Sequence, residues 1–320
     1  MTLRVLLADR YAPVKGLGAR SVIIYSQTID RYRDFLRREP AVTDLEEDSI
    51  ASFLEWRGKT VHCRSRGLPS AGTIRKDRSQ LLALATYAFR KRLIPEFPVV
   101  RTIRKASRLP RGFTSEEVGR LITAARRRKR TVAGLPAAWW WSTILHAAWQ
   151  TGARIGEILQ VEWQDVSPGG EIIFRAPNRK GQTRDIARAL SPELSAEIEQ
   201  HRRPDGQRVW PWDRLVTSLY PSMRILCDSA GVPQRRFHAI RKASASYVAA
   251  AGGDASAHLD HSSATITRDY YLDDRVVKKI GGLAFLPPLD LGEKPPANKP
   301  KNSFRNFPSP PLPIVDDSVR

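Results

Sequence analysis

Sulfur is scarce in this sequence: its 320 residues include two cysteines, Cys63 and Cys227, and two methionines. With no Cys-x-x-Cys pair and no evenly spaced set, the chain has no disulfide framework or structural zinc motif, and it fits a reducing cytosol. Long apolar runs are missing too. The longest, Leu135 to Trp149, is broken by Pro136, Ser142, Thr143 and His146. It falls short of the ~20 residues a membrane span needs and reads as a core helix. Met1 to Ala8 is apolar over too few residues for a signal peptide, so no membrane partner is expected. Acidic charge is the third scarcity, with 33 Asp and Glu against 53 Lys and Arg, a formal net charge of +20. A well-solvated small domain usually carries a net charge of magnitude about 2 to 8. The excess favours a polyanion, nucleic acid before an anionic membrane surface. Nucleotide and metal motifs are also absent. Gly58-Lys59-Thr60 has Phe53 where a phosphate loop needs glycine, and no His-Glu-x-x-His occurs.

What is present is globular, with 41% apolar and 27% charged residues and room for two domains. Residues 1–20 read as an N-terminal arm without clear periodicity. Beyond it, Tyr25, Ile29, Tyr32 and Leu36 recur at helical spacing, while Arg31, Arg33, Arg37 and Arg38 take other faces. Thr43 to Glu46 has capping-box spacing ahead of Ile50, Phe53 and Leu54. Leu81, Leu84, Ala85 and Ala88 line a third helix that stops before Pro95. A small, basic, all-helical domain over residues 21–97 is therefore expected.

Residues 98–112 read as a linker. Its cations, including Arg101, Arg104, Lys105 and Arg108, form either a solvated surface or a strap across a DNA backbone. Thr114 to Glu117 is a second capping box, opening a domain over 113–285. There Trp139, Trp140 and Trp141 lie at helical spacing beside Ile144, Leu145 and Ala148, which favours core over base-stacking platforms. Ile172 to Phe174 and Thr183 to Ala189 flank a turn at Asn178 to Gln182, a hairpin with Lys180 at its tip. In 286–320, nine of 35 residues are proline, so this tail is expected to be disordered or polyproline-like.

The chemistry gathers late in the chain. His238 and Arg241, three apart, share a helix face. His261 follows, and Tyr270 lies nine residues beyond it. Arginine fits phosphate oxygens in bidentate fashion, and a phenol is a nucleophile once its proton is taken. Upstream, Gly152 permits a tight joint that places Arg154 at a helix start among Ile155, Ile158 and Leu159. A semi-buried arginine there wants an anion, either a structural one such as Glu157 or a phosphate. His258, Asp260 and His261 mimic a metal cluster, but His261 belongs to the better constellation and no metal is expected.

The motifs Thr-Gly-Ala-Arg-Ile-Gly-Glu-Ile-Leu (151–159), Arg-Lys-Gly (179–181), His-Ala-Ile-Arg (238–241) and Leu-Asp-His-Ser-Ser (259–263) with Tyr270 resemble the tyrosine recombinases of the phage-integrase family. The resemblance runs from about Ser21 to Tyr271. It implies a mainly α (α+β) fold, with a helical DNA-clamping domain and a mixed helical catalytic domain carrying a small β-hairpin. It implies a site-specific DNA recombinase or integrase that cleaves and rejoins strands through a 3′-phosphotyrosine. Tyr270 would attack the phosphate, Arg154 and Arg241 would clamp its oxygens, and Lys180 would protonate the departing 5′-oxygen. His238 would assist phenol deprotonation, His261 would hydrogen-bond the phosphate, and Arg179 joins the linker cations as a DNA contact.

Such a transesterification uses neither ATP nor metal, so no cofactor is expected. The implied partners are double-stranded DNA and three further copies in a synaptic homotetramer, docked through Asp273 to Ile280. The need for DNA-bending accessory proteins is open, as is the choice between a mobile element's integrase and a resident resolving enzyme. A cytoplasmic, nucleoid-associated location follows. Four departures from the family pattern stand out: Lys242 replaces a second histidine, Asp260 replaces a glycine, the stretch from Arg241 to His261 is short, and Tyr271 offers a second phenol. A nicking enzyme of the type IB topoisomerase kind and a silenced, integrase-derived DNA-binding protein are the alternatives.

Overall fold

The computed structural model describes residues 1–61, 67–104, 109–179, 181 and 184–277. The chain divides into two compact units, one ending at Leu109 and the next beginning at Pro110. That division falls inside the stretch 98–112 read as a linker.

The first unit is built of helices. Its opening residues, expected as an arm, are instead helical: α1 (Leu3–Val5), a π-helical turn (Leu6–Tyr11) and α2 (Ala12–Lys15) follow one another. Leu3, Leu6 and Leu7 are almost wholly buried. They occupy i, i+3 and i+4, a helical face too short to register as a period. Three longer helices, α3 (Ala19–Leu36), α4 (Glu47–Lys59) and α5 (Ala71–Arg90), bury Ile29, Tyr32, Ile50, Phe53, Leu81 and Leu84 against this segment. Thr43 does not cap α4 as the Thr43 to Glu46 spacing suggests, because α4 has Glu46 as its N-cap residue and Asp44 takes another role. Its carboxylate accepts from the Ala41 N–H at 2.7 Å, and a 3-10 turn at Val42–Asp44 forms there instead. The buried Asp77 accepts from Thr28, Arg31 and Arg57 at 3.0, 3.1 and 3.3 Å, so this carboxylate is paired inside the core.

In the second unit, α6 (Ser115–Arg126) opens with the expected capping box. Thr114 Oγ1 accepts from the Glu117 N–H at 3.2 Å, and Glu117 accepts from the Thr114 N–H at 2.9 Å. A short antiparallel pair, β1 (Thr131–Val132) and β2 (Leu135–Pro136), leads into α7 (Ala137–Thr151). Trp139, Trp140 and Trp141 on α7 are buried. The enclosed Trp140 indole donates to the Pro211 carbonyl at 3.2 Å, as a buried indole must find an acceptor. Next come α8 (Ile155–Ile158) and the antiparallel hairpin β3 (Glu171–Phe174) with β4 (Ile186–Ala189), in register from Glu171 opposite Ala189 to Phe174 opposite Ile186.

The remaining helices are α9 (Pro192–Glu199), α10 (Leu219–Ser229), α11 (His238–Ala250), α12 (Ala255–Leu259) and α13 (Ala264–Tyr270). Helices α6, α9 and α11 pack on α7, which makes α7 the centre of this unit. Beyond α13, residues 273–277 form a turn. Lys180, residues 278–280 and the proline-rich tail 286–320 lie outside the described residues. Among the described residues, no helix is long and apolar enough to cross a membrane.

Candidate active site

The site is assembled where the end of α7 meets α11 and the α12–α13 segment. Gly152 ends α7 in the left-handed region at φ +61°. That turn carries the chain into α8 with Arg154 as its N-cap. Glu157 accepts from the Arg154 N–H at 3.0 Å and from its guanidinium at 2.7 Å. Glu157 is thus the structural anion for Arg154, whose side chain keeps a third of its surface open.

Arg241 projects from the first turn of α11 and is 3% exposed. Its Nη1 donates to the Gly152 carbonyl at 2.5 Å, and its Nη2 to the Leu259 carbonyl at 2.8 Å. Nη2 also stands 2.9 Å from His261 Nε2. Its Nε has no hydrogen-bond partner. Among the described residues no carboxylate lies within ion-pair reach of this guanidinium. Burial and then the Arg154 charge push its pKa down to about 10. This buried cation is held by two carbonyls and an imidazole, a setting that favours an anionic partner.

His261 stands between α12 and α13. Its Nδ1 is 2.8 Å from Thr267 Oγ1, and Ser256 also donates to that hydroxyl, at 2.9 Å. His258 is 2.7 Å from Ser244 Oγ and packs under Gly152. Neither Thr267 nor Ser244 was singled out from the sequence, because nothing local marks a residue whose partner comes from another helix.

The two phenols differ. Tyr270, the residue that spacing selects, is 59% exposed, and its side chain makes no ring contact or hydrogen bond among the described residues. Tyr271 is 8% exposed, and its ring meets His261 edge-on at 4.5 Å and His238 at 5.0 Å. The Arg241 guanidinium lies 5.6 Å from its centroid. The structure therefore brings His238, Arg241 and His261 together around Tyr271 and leaves Tyr270 outside. The missed signal is the interval from Thr267 to Tyr271, four residues and hence one helix face. Just downstream, the buried Asp273 accepts from the Gly112 N–H, Arg111 and Arg275 at 2.9, 2.9 and 2.7 Å. Burial opposes its ionisation, but the bonds from Arg275 and Gly112 outweigh it, and its pKa falls below the ordinary carboxylate range.

Charge in the site is one-sided. Burial, then Lys242 and Arg241, push His238 down to about 4, and burial, then Arg241 and Arg154, do the same to His261. Both imidazoles are neutral at pH 7. Asp260 and Glu157 oppose this at His261 but are outweighed, and Asp260 is itself paired with Arg179 and Arg184. Arg179, expected on DNA, is 4% exposed and committed to that pair, so its guanidinium is internal. Arg101 and Arg104 are exposed in the first unit, whereas Lys105 and Arg108 lie outside the described residues. Lys180, assigned the leaving-group proton, lies outside them as well. No group of three or more His, Cys, Asp or Glu among the described residues is placed to hold a metal ion.

Neither a family model nor a curated protein matches the chain. Solved structures do. A lambda integrase tetramer bound to a Holliday junction is 18% identical, over 88% of this chain and 80% of that chain, with a TM-score of 0.64. The Tn1549 transposon integrase in complex with a circular intermediate DNA is 14% identical, over 85% of this chain and 95% of that chain, at 0.63. XerH site-specific recombinase, in a post-cleavage complex with palindromic difH substrate, is 15% identical, over 88% of this chain and 84% of that chain, at 0.61. Likeness at these identities is a likeness of fold, and this chain shares the fold of these integrases and this recombinase.

Proposed function

We propose that this protein is a site-specific DNA recombinase or integrase that cleaves and rejoins strands through a 3′-phosphotyrosine, with Tyr271 as the attacking phenol. The observation that carries this reading is the packing of Tyr271 against His238, His261 and the buried Arg241, a guanidinium with no carboxylate in reach. The DNA-bound neighbours and the net charge of +20 support double-stranded DNA as the partner. The lambda integrase tetramer supports a homotetramer bridging two sites.

In the first step the Tyr271 oxygen bonds to phosphorus and its proton passes to the neutral His238. Arg241 and Arg154 take the charge that builds on the non-bridging oxygens, and His261 hydrogen-bonds the same phosphate. The P–O5′ bond breaks and the 5′-oxygen receives a proton, a task the Arg-Lys-Gly motif gives to Lys180. A second 5′-hydroxyl then reverses the sequence. One phosphodiester is exchanged for another, so the chemistry draws on no nucleotide, and two guanidiniums supply the charge stabilisation a metal would otherwise give.

Covalent trapping on nicked suicide duplexes in EDTA, with wild type, Tyr270→Phe and Tyr271→Phe, tests this. A denaturation-resistant adduct lost only in Tyr271→Phe is the expected result. Loss only in Tyr270→Phe would keep the reaction and transfer the nucleophile to the residue that spacing selects. Salt-sensitive binding without any adduct would refute the enzymatic reading in favour of a silenced DNA-binding protein. Plasmid relaxation without recombinant products would instead favour a topoisomerase.

A further inference from the structure

Asp260 adopts the left-handed backbone, at φ +50°, directly before His261. Aspartate is one of the few residues that tolerates this region, and glycine would occupy it at lower cost. The carboxylate spans the ends of the connection between β3 and β4. One oxygen takes the Arg179 guanidinium, and the other takes Arg184 Nη2 at 3.0 Å. Arg179 Nη1 also donates to the Arg184 carbonyl at 2.7 Å, which ties those two ends to each other. From β4, Arg188 adds bonds to the Ala257 and His258 carbonyls at 3.0 and 3.1 Å. Three arginines of one hairpin thus converge on the four residues, 257–260, that lead into His261. The Arg179 side chain is 1% exposed and that of Asp260 10%, so the pair has been taken out of water. A desolvated pair of this kind contributes little net stability compared with an apolar replacement. Its effect is geometric: it sets the hairpin against the loop of His261.

We infer that Asp260 is a positioning residue for strand cleavage, a carboxylate that registers the β3–β4 connection against the loop of His261. The inference rests on the proposed function, in which Lys180, next to Arg179 in sequence, protonates the leaving oxygen. Loss of the carboxylate frees both ends of that connection from the site. Attack by Tyr271 and proton transfer to His238 are left in place, and what suffers is protonation of the 5′-oxygen as the P–O5′ bond breaks.

Single-turnover cleavage separates these steps. Full-length wild type, Asp260→Asn and Asp260→Gly act on a nicked duplex selected by wild-type binding from a random-sequence pool. Once the cleaved bond is mapped, the duplex is made with either oxygen or sulfur bridging phosphorus to the 5′-carbon. Asparagine keeps the left-handed backbone without the charge, and glycine removes the backbone strain. On the oxygen duplex both variants should be slower by about tenfold or more, since a displacement of ~1 Å is worth up to about a hundredfold. On the sulfur duplex they should match wild type, because a thiol with a pKa of about 8.5 leaves as a thiolate without a donated proton. Wild-type rates on oxygen would overturn the inference and leave the proposed function standing. Equal losses on oxygen and sulfur would also overturn it, assigning Asp260 to the fold or to phosphate binding. A wild type that forms no adduct with either duplex would overturn the proposed function, and this inference with it.

Discussion

Arg241 and His261 fix each other's hydrogen bonding, with Nη2 of the arginine 2.9 Å from Nε2 of the histidine. A guanidinium has only donors, so Nε2 must accept. The ring proton is therefore on Nδ1, which donates to Thr267 Oγ1 at 2.8 Å. The geometry thus requires a neutral imidazole, and the pKa of His261, pushed down to about 4, agrees. His238 is held at about 4 by burial and by Lys242 and Arg241. Two uncharged rings lie beside Arg241, a buried cation with no carboxylate in ion-pair reach among the described residues.

A DNA phosphate should therefore bring protons with it. Its negative charge offsets Arg241 and Arg154, and His261, losing Arg241 Nη2 to the phosphate, gains a reason to protonate Nε2. The pKa of one or both imidazoles should rise from about 4 toward the ordinary histidine value of about 6.5. Binding should take up protons in that window and tighten as pH falls through it. Calorimetry at about pH 5.5 in two buffers of different ionisation enthalpy reads the uptake. Identical heats in both buffers would refute it.

Acid stability follows from the same groups in the free protein. Burial, then Arg188 and Arg241, push His258 to about 4, as His238 and His261 are pushed by their own neighbours. A histidine whose folded pKa lies below its unfolded value binds fewer protons in the folded state, so stability rises with pH. The stabilisation is complete above about 6.5 and is lost as pH falls toward about 4. Asp273 extends the loss below the ordinary carboxylate range, since its folded pKa is depressed as well. Urea melts between pH 7 and 4 should show this slope, and His258→Gln should reduce it by up to about one proton. An unchanged slope in that variant would mean that His258 titrates alike in both states.

Gly152 is the joint on which these contacts close. A β-carbon there would lie 2.6 Å from His258 Nε2 and 3.0 Å from Leu259, at a φ of +61°. Gly152→Ala should cost roughly 1–2 kcal/mol for the left-handed backbone alone. It should also displace His258, and with it the Leu259 carbonyl that Arg241 uses. Lower stability with a larger loss of adduct formation is expected. Unchanged adduct formation would show that the joint does not set the site.

Much of this was legible from spacing, because the signals are local. Thr114 and Glu117 form their capping box three residues apart, and the tryptophans of α7 are buried where helical spacing puts them. The hairpin was also visible, and its second strand begins at Ile186. What spacing could not reach are partnerships made across the chain. Asp260 meets Arg179, 81 residues away, so the sequence showed only a carboxylate where glycine was expected. The rings that set Tyr271 apart from Tyr270 are likewise remote in sequence, His238 on α11 and His261 in the loop before α13. A count from His261 carries no information about which way α13 faces when it ends.

Arg241→Lys is the most searching substitution, because it keeps the charge and removes the fork. The guanidinium serves the Gly152 carbonyl, the Leu259 carbonyl and His261 at once. A lysine ammonium is a compact point charge on a flexible stem and cannot reproduce that planar arrangement. At least one buried carbonyl would be left without a donor, at about 1–3 kcal/mol, which urea melts would detect. If Arg241 also stabilises the transition state, adduct formation should fall further, by about a hundred- to a thousandfold, as when one preorganised donor is lost. Arg154→Lys should separate the two effects. Arg154 is a third exposed and its Glu157 contact is a single 2.7 Å bond that an ammonium can remake. Stability should change little there while cleavage still falls. If Arg241→Lys cleaves at the wild-type rate, the buried cation serves only the fold, and the anion site must be sought around Arg154 alone.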